Sequence, residues 1–593
     1  MTNLNQRWDL DSIFPGGSSS PELQEQLNSV RSQIAALKAK VEALGSELDA
    51  EQLRELVHEM QNVQAGFGEC RAFVACLTAQ NVRDNQAKLL QGDLGQISAA
   101  LAGVFTSIDH LLASIPEDRW QALFTDEELK ELSFNLNERR NVAKTKMAPE
   151  LEALATDLGV DGYHAWSHLY YTIVGDMSIE VERDGKAETL SMGQAANLLS
   201  NPDPDLRREV FHKFEAAWAE KAELFASTLN HLAGFRINLY QHRGWDDVLA
   251  EPLQINRMER ATLDAMWGAV QGGKPHLAKF LQRKAELLGL DQVAWYDLNA
   301  PLGDAGKEIP FEEAKAFVVD QFRKFSPEIA DFTQQALDRR WVEAENRGGK
   351  RPGAFCTSFP LSKESRVFMT YSGTISSLGT LAHELGHAYH GYVLKDRPMF
   401  LRRYAMNVAE TASTFGELLV VDGAISAASS PEEKLGILED KIGRSVAFFM
   451  DIHSRFLFET RFYEARKKGL VSAAQLNELM TEAQKEAFLD ALKEYHPHFW
   501  ASKLHFYSTG VPFYNFPYTF GYLFSAGVYA KAKEEGQGFA RRYAELLGDT
   551  ARMSVEDLAR RHLGADLTKP DFWEAAVKLA TDDVEEFLRL TDK

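Results

Sequence analysis

The chain has 593 residues, 45% of them hydrophobic and 25% charged, a balance that supplies a large buried core and, at this length, more than one subdomain. Its formal net charge of -21 argues against a surface built for phosphate backbones or anionic lipid, so neither nucleic acid nor membrane is an expected partner.

The opening MTNLNQRWDLDSIFPGG has neither a basic start nor an apolar core of signal-peptide length, and no uncharged apolar run reaches the length of a membrane span. A cytoplasmic protein is expected. Apolar residues recur at three- and four-residue spacing over 21 to 44, 51 to 80 and 84 to 113, predicting amphipathic helices whose Glu-, Lys- and Gln-rich faces are solvated. Cys70, Cys76 and Cys356 suit reduced, buried thiols better than disulfides or a metal cluster.

SIEVERDGKAETLSM (178 to 192) alternates around Asp184-Gly185, a dipeptide that suits a tight hairpin turn. NPDPDLRREVF then supplies prolines and an Asp to cap a new helix. A boundary is placed there, between an N-terminal helical region of residues 1–195 and a second region of residues 196–593. Arg351 to Phe359 and Arg366 to Thr370 are short β-rich runs, and after Tyr371-Ser372-Gly373 the helical period returns with Leu378, Leu381, Leu385 and Ala388 on one stripe. The expected fold is mainly α, with a small sheet beside this last helix.

That helix carries TLAHELGHAYH, from Thr380 to His390. His383 and His387 are four apart and share a face, with Glu384 about 100° round from His383. Two imidazoles so placed grip one zinc ion, and the neighbouring carboxylate accepts the proton of an attacking water. Random placement of these residue types yields the pattern about 0.04 times in a chain of this size, so a helix that merely carries polar residues is the weaker reading.

A catalytic zinc site needs a third protein ligand. In MNVAETASTFGELLVV (406 to 421), read as one apolar-periodic helix, Glu410 and Glu417 fall on one face. Glu410 is the candidate ligand, with a capping role opposite Asn407 as the competing reading. Glu417 is a candidate for orienting a histidine, with a plain surface carboxylate as the competing reading. His390 lies near the same face, but a fourth protein ligand would close the site to water, so it is read as structural or supporting.

GTLAHELGHAYH, AETASTFGE and HFYSTGVPFYNFPYTFGYL (505 to 523), together with KRPGAFC (350 to 356), resemble the thimet oligopeptidase and oligoendopeptidase F zinc peptidases, more closely the oligoendopeptidase F branch. The resemblance implies a two-lobed helical shell around a deep substrate channel, one zinc ion per chain at its floor, and short unstructured peptides as substrates. His383, His387 and Glu410 match the family's ligands and Glu384 its general base. In the third motif, neutral donors beside the metal would favour a tetrahedral oxyanion over the flat substrate. His505, Tyr514 and Tyr522 are the candidates, with Tyr518 as a substrate contact on a helix that Pro517 would open. For each tyrosine a plain core role competes. The run Gly353 to Phe359, with Gly353, Ala354 and Phe355 as peptide contacts, is a candidate edge strand for an extended substrate, although Thr370-Tyr371-Ser372-Gly373 stands where the family often has Asn before Tyr-Thr-Gly.

Two other readings stay open. A carboxypeptidase or dipeptidyl carboxypeptidase would need a cation such as Arg351, Arg402 or Arg403 for the substrate's terminal carboxylate. A non-catalytic helical peptide-binding protein would bind peptides without metal-dependent turnover.

Overall fold

A computed structural model describes residues 6–183, 185–303 and 308–592. They form two compact units, one of Met1–Lys146, Lys307–Gly423 and Lys531–Gly564, the other of Met147–Gly306, Ala424–Ala530 and Ala565–Lys593. Each unit gathers three separate stretches, a division of contacts in space rather than of the chain at one point.

In the first unit, α1 (Pro21–Ala43), α2 (Ala50–Gln80) and α3 (Asn85–Ser114) follow the predicted helices closely. Ser20, Asp49 and Asp84 each accept a backbone N–H of the first turn, which satisfies donors a helix start leaves orphaned. Their apolar stripes, among them Leu27, Leu56, Met60, Leu94 and Ile97, close into one core. α3 is long and apolar enough to cross a membrane by length and composition alone. Its outward face holds small residues such as Gly95, Ala99 and Gly103, and one helix of this kind is weak ground for a span.

The sheet of this unit contains β3 (Val342–Glu343), β4 (Phe355–Phe359) and β5 (Glu364–Phe368) in the order β3-β5-β4. β5 runs parallel to β3 and antiparallel to β4, which leaves β4 on the edge. The predicted run from Gly353 is corrected: Gly353 has φ +90 and turns the chain, so the strand starts at Phe355. Phe355 stacks on Phe368 at 5.2 Å and meets Trp8 edge-on at 6.5 Å, so its side chain ties the sheet to the helical core.

The β4–β5 turn is held from α2. Buried Glu69 accepts the N–H of Leu361 at 2.9 Å and of Ser362 at 3.2 Å, and the Ser362 hydroxyl as well. The motif helix, Ile375–Leu394, begins with a capping box between Thr374 and Ser377 and packs on β4 and β5. Leu378, Leu381, Leu385 and Ala388 are no more than 2% exposed, as the stripe required.

In the second unit the predicted hairpin is β1 (Ser178–Arg183) against β2 (Lys186–Ser191), with Ser178 opposite Ser191. Gly185 has φ +72; Asp184, its predicted turn partner, lies outside the described residues, as do residues 1–5. Asp203 caps the helix Pro204–Glu220 by accepting from Asp205 and Leu206 N–H. The long helices Arg260–Leu287 and Pro570–Thr591 pack together, Phe280 against Phe587 at 4.9 Å.

Replacing Glu69 with Leu strands the Leu361 and Ser362 N–H groups, at a cost of about 1–3 kcal/mol. Hydrogen exchange of the β4–β5 amides is expected to accelerate about tenfold or more; unchanged exchange would show that the turn holds itself.

Candidate active site

His383 and His387 project from one face of the motif helix, their rings 5.0 Å apart and nearly perpendicular. The predicted single helix from 406 to 421 is in fact broken. A short helix, Met406–Ala409, ends where Glu410 takes φ -83 and ψ 0, and a second helix, Thr411–Ala427, follows. Glu410, at this junction, places Oε2 3.2 Å from His383 Nε2 and 3.5 Å from His387 Nε2.

Donors about 2.1 Å from a tetrahedral centre lie about 3.4 Å from one another. The three side chains thus match the spacing a single zinc ion requires, and among the described residues no other group of three His, Cys, Asp or Glu side chains does so within 4.8 Å.

The contact that creates this spacing is backbone against backbone. A Cβ on Gly386 would sit 2.4 Å from Ala412 O and 2.7 Å from Ser413 Cα, and one on Gly416 would sit 3.1 Å from Ala382 O. Only glycine lets the two helices approach this far. Glu417, two turns past Glu410, puts Oε2 3.0 Å from His383 Nδ1. With Nδ1 protonated and donating to that carboxylate, the Nε2 lone pair faces Glu410 and the metal position. Ser413 adds a hydroxyl donated to Glu410 Oε2 at 2.8 Å. Sequence reasoning missed Ser413, and its position three residues after Glu410 was the available signal.

Burial acts in opposite senses on the acids and bases of the site. It pushes His387 down to about 4, helped by His383, so the ring is a neutral ligand near neutrality. Burial alone would raise Glu410, but the two histidines that face it, together with the hydroxyl of Ser413, outweigh burial and hold the carboxyl well below its ordinary range. Two imidazoles and one carboxylate are a donor set that fits a divalent zinc ion. Glu384, 5% exposed, is pushed up to about 7 by burial, with Glu410 adding and His383 opposing.

His390 lies outside this cluster. It is fully buried, with Nε2 2.9 Å from Thr550 Oγ1 and its ring stacked on Tyr404 at 4.2 Å, which agrees with a structural role.

In the second unit the structure brings His505, Tyr514 and Tyr518 together: His505 is 5.2 Å from Tyr514 and 6.1 Å from Tyr518, and the two tyrosines are 5.7 Å apart. Burial, with Arg455 and Lys503 adding, pushes His505 down to about 4, leaving a neutral ring. Tyr522 lies apart from this trio: its hydroxyl is 2.9 Å from Ser445 Oγ and its ring stacks on Phe448 at 4.5 Å, so it is engaged within the core of its own unit. The helix there, Phe516–Glu535, starts one residue before Pro517. Gly353 and Ala354 precede β4, which narrows the candidate peptide edge to Phe355–Phe359.

Residues 197–579 match the sequence profile of peptidase family M3, and residues 112–178 that of oligopeptidase F. The chain belongs to peptidase family M3, and it is a zinc metallopeptidase of that family's oligoendopeptidase type. Oligopeptidase PepF of Bacillus subtilis is 24% identical over 600 residues, which cover 99% of this chain and 87% of that protein. An oligoendopeptidase F homolog of Lactococcus lactis subsp. lactis is 20% identical, with 99% and 97% covered. The fold is shared with the crystal structure of oligoendopeptidase-F from Enterococcus faecium (TM-score 0.70, 18% identity, 96% of this chain and 99% of that one) and with PZ peptidase A (TM-score 0.75, 16% identity, 94% and 97%).

Gly386→Ala overpacks a backbone contact that has no flexible side chain to yield, at about 1–3 kcal/mol. Purified G386A is expected to hold well under one zinc per chain by elemental analysis while remaining helical by circular dichroism; full zinc occupancy would show that the two helices tolerate separation.

Proposed function

We propose that this protein is an endopeptidase that hydrolyses short, unstructured oligopeptides, with one zinc ion per chain held by His383, His387 and Glu410. The observation that carries the reading is the pairing of that ligand triad with buried Glu384 on the same helix. Zinc, when bound, supplies a Lewis acid that polarises the scissile carbonyl and acidifies water. Glu384 takes the proton from the attacking water and passes it to the leaving amine. Glu417 keeps the His383 ring in its ligating orientation.

His505 and Tyr514, with Tyr518 beside them, are proposed as donors to the developing oxyanion and to substrate. The edge of β4 is proposed to take the extended peptide through main-chain hydrogen bonds, giving affinity with loose sequence preference. A two-lobed shell with an enclosed channel belongs to the same proposal on the strength of family membership, and its signature would be a sharp upper limit on peptide length. A cytoplasmic location fits peptide turnover of this kind.

Glu384→Gln is expected to keep its zinc and lose turnover by about 10²–10⁴-fold, read by mass spectrometry on pooled peptides of graded length. Internal fragments from the wild type alone support the proposal, and wild-type rates in the variant would sink the assignment of Glu384. A ladder of fixed-length C-terminal products would point to an exopeptidase instead. Removing the metal with a chelator is expected to abolish cleavage, and added zinc to restore it.

A further inference from the structure

A cavity of about 470 Å³ opens in the first unit, walled by α2, α3, β4 and the turn Met399–Tyr404 that leads from the motif helix towards Glu410. In a chain of net charge -21 this cavity is basic: Arg71, Lys363, Lys395, Arg402 and Arg403 line it, against the single acid Glu364. Lys363 is paired with Asp396 at 2.7 Å, and Glu364 is engaged by Arg339 and Arg366.

The other cations are differently placed. Among the described residues, Arg71, Lys395 and Arg402 form no ion pair. Arg71 rests over the Phe67 ring at 5.9 Å and Lys395 over the Tyr392 ring at 3.4 Å. Arg402 is oriented by two carbonyls, those of Arg397 at 2.7 Å and Pro360 at 3.2 Å. Carbonyls aim a guanidinium without neutralising it, so its charge remains available to an anion.

A second observation is independent of charge. Gln64 also lines the cavity and is 7% exposed, yet neither its amide nitrogen nor its amide oxygen has a hydrogen-bond partner. A buried primary amide with both halves unpaired is rare in a native interior. The group that satisfies both halves at once is another amide, such as a peptide unit. Gln64 and Arg71 are seven apart on α2 and therefore face the cavity from one stripe. Phe67, Phe105 and Met399 supply apolar wall between the polar groups.

Tyr404 on the inner wall stacks on His390 of the motif helix, three residues past His387.

We propose that this cavity is a subsite for a carboxylate of the substrate peptide, either its C-terminal carboxylate or an Asp or Glu side chain, with Arg71 and Arg402 receiving the charge and Gln64 pairing with an adjacent peptide bond. The proposal rests on the peptidase reading and deepens it by naming acidic peptides as the favoured substrates.

The test uses the zinc-loaded full chain and three versions of one neutral peptide: a free C-terminal acid, the C-terminal amide, and the amide carrying one internal Glu. One of the two carboxylate peptides is expected to show a KM about tenfold below that of the neutral amide, a charge-assisted contact of ordinary strength. The advantage is expected to fall to about onefold in Arg71→Ala and in Gln64→Leu, and to shrink as ionic strength rises. Which carboxylate peptide gains identifies the source of the charge. Arg541→Ala, a surface arginine 91% exposed and outside the cavity, is the control and should keep the full ratio. Equal KM for all three peptides in the wild type would overturn the proposal, as would a tenfold ratio that survives both cavity variants. Inorganic phosphate competing equally with neutral and acidic peptides would overturn it in favour of a free-anion site. Absence of cleavage of every peptide would instead strike at the peptidase reading itself.

Discussion

The metal centre depends on one contact, the close approach of the motif helix to the helix that follows Glu410. Gly386 meets the backbone of Ala412 and Ser413, and Gly416 meets the carbonyl of Ala382. Ligand positions around zinc tolerate errors of only a few tenths of an ångström, whereas a single methyl group at this crossing would displace the second helix by more. The same approach sets Glu417 against His383 and Ser413 against Glu410. Packing and coordination are thus the same constraint, met by two residues that have no side chain.

Burial then sorts the titratable groups by role. An imidazole loses its proton more readily in a dry site and a carboxyl holds its proton more tightly, so His387 is kept as a ligand and Glu384 is kept near the point of proton exchange. Glu410 escapes the effect on carboxyls because both histidines face it. Three acidic or basic groups of one site therefore acquire different protonation states from position alone.

Much of this was legible in the sequence because its signals are local. The cap Asp203, the stripe from Leu378 to Ala388 and the four-residue spacing of His383 and His387 all lie within one or two helical turns. Glu410 was readable as a residue on an apolar helix, but the break that sets its backbone there was not, since nothing in MNVAETAS interrupts the period. β3 has two residues and exists only because β5 pairs with it. Tyr522 and Tyr518 have the same residue type and share a helix, and the contact of Tyr522 with Ser445, 77 positions away, has no local sign. Glu69, whose partners lie 292 and 293 positions on, gave no local sign of its role. Long-range hydrogen bonds leave no period to read.

That last separation has a consequence for how the protein is made. The first unit draws on residues near the start of the chain, on its middle and on a stretch ending at Gly564. A chain emerging from the ribosome presents α1, α2 and α3 long before β4, the zinc ligands or the residues around Thr550 exist to pack against them. Those helices bury most of their apolar stripes against one another, but the strands and ligands they support follow only after several hundred further residues, at elongation rates of about 5–20 residues per second. Since the β4–β5 turn is anchored by Glu69 and His390 is seated by Thr550, the order of translation leaves the motif helix without its Thr550 contact until late in synthesis, and a fragment released early would carry the zinc motif without that support.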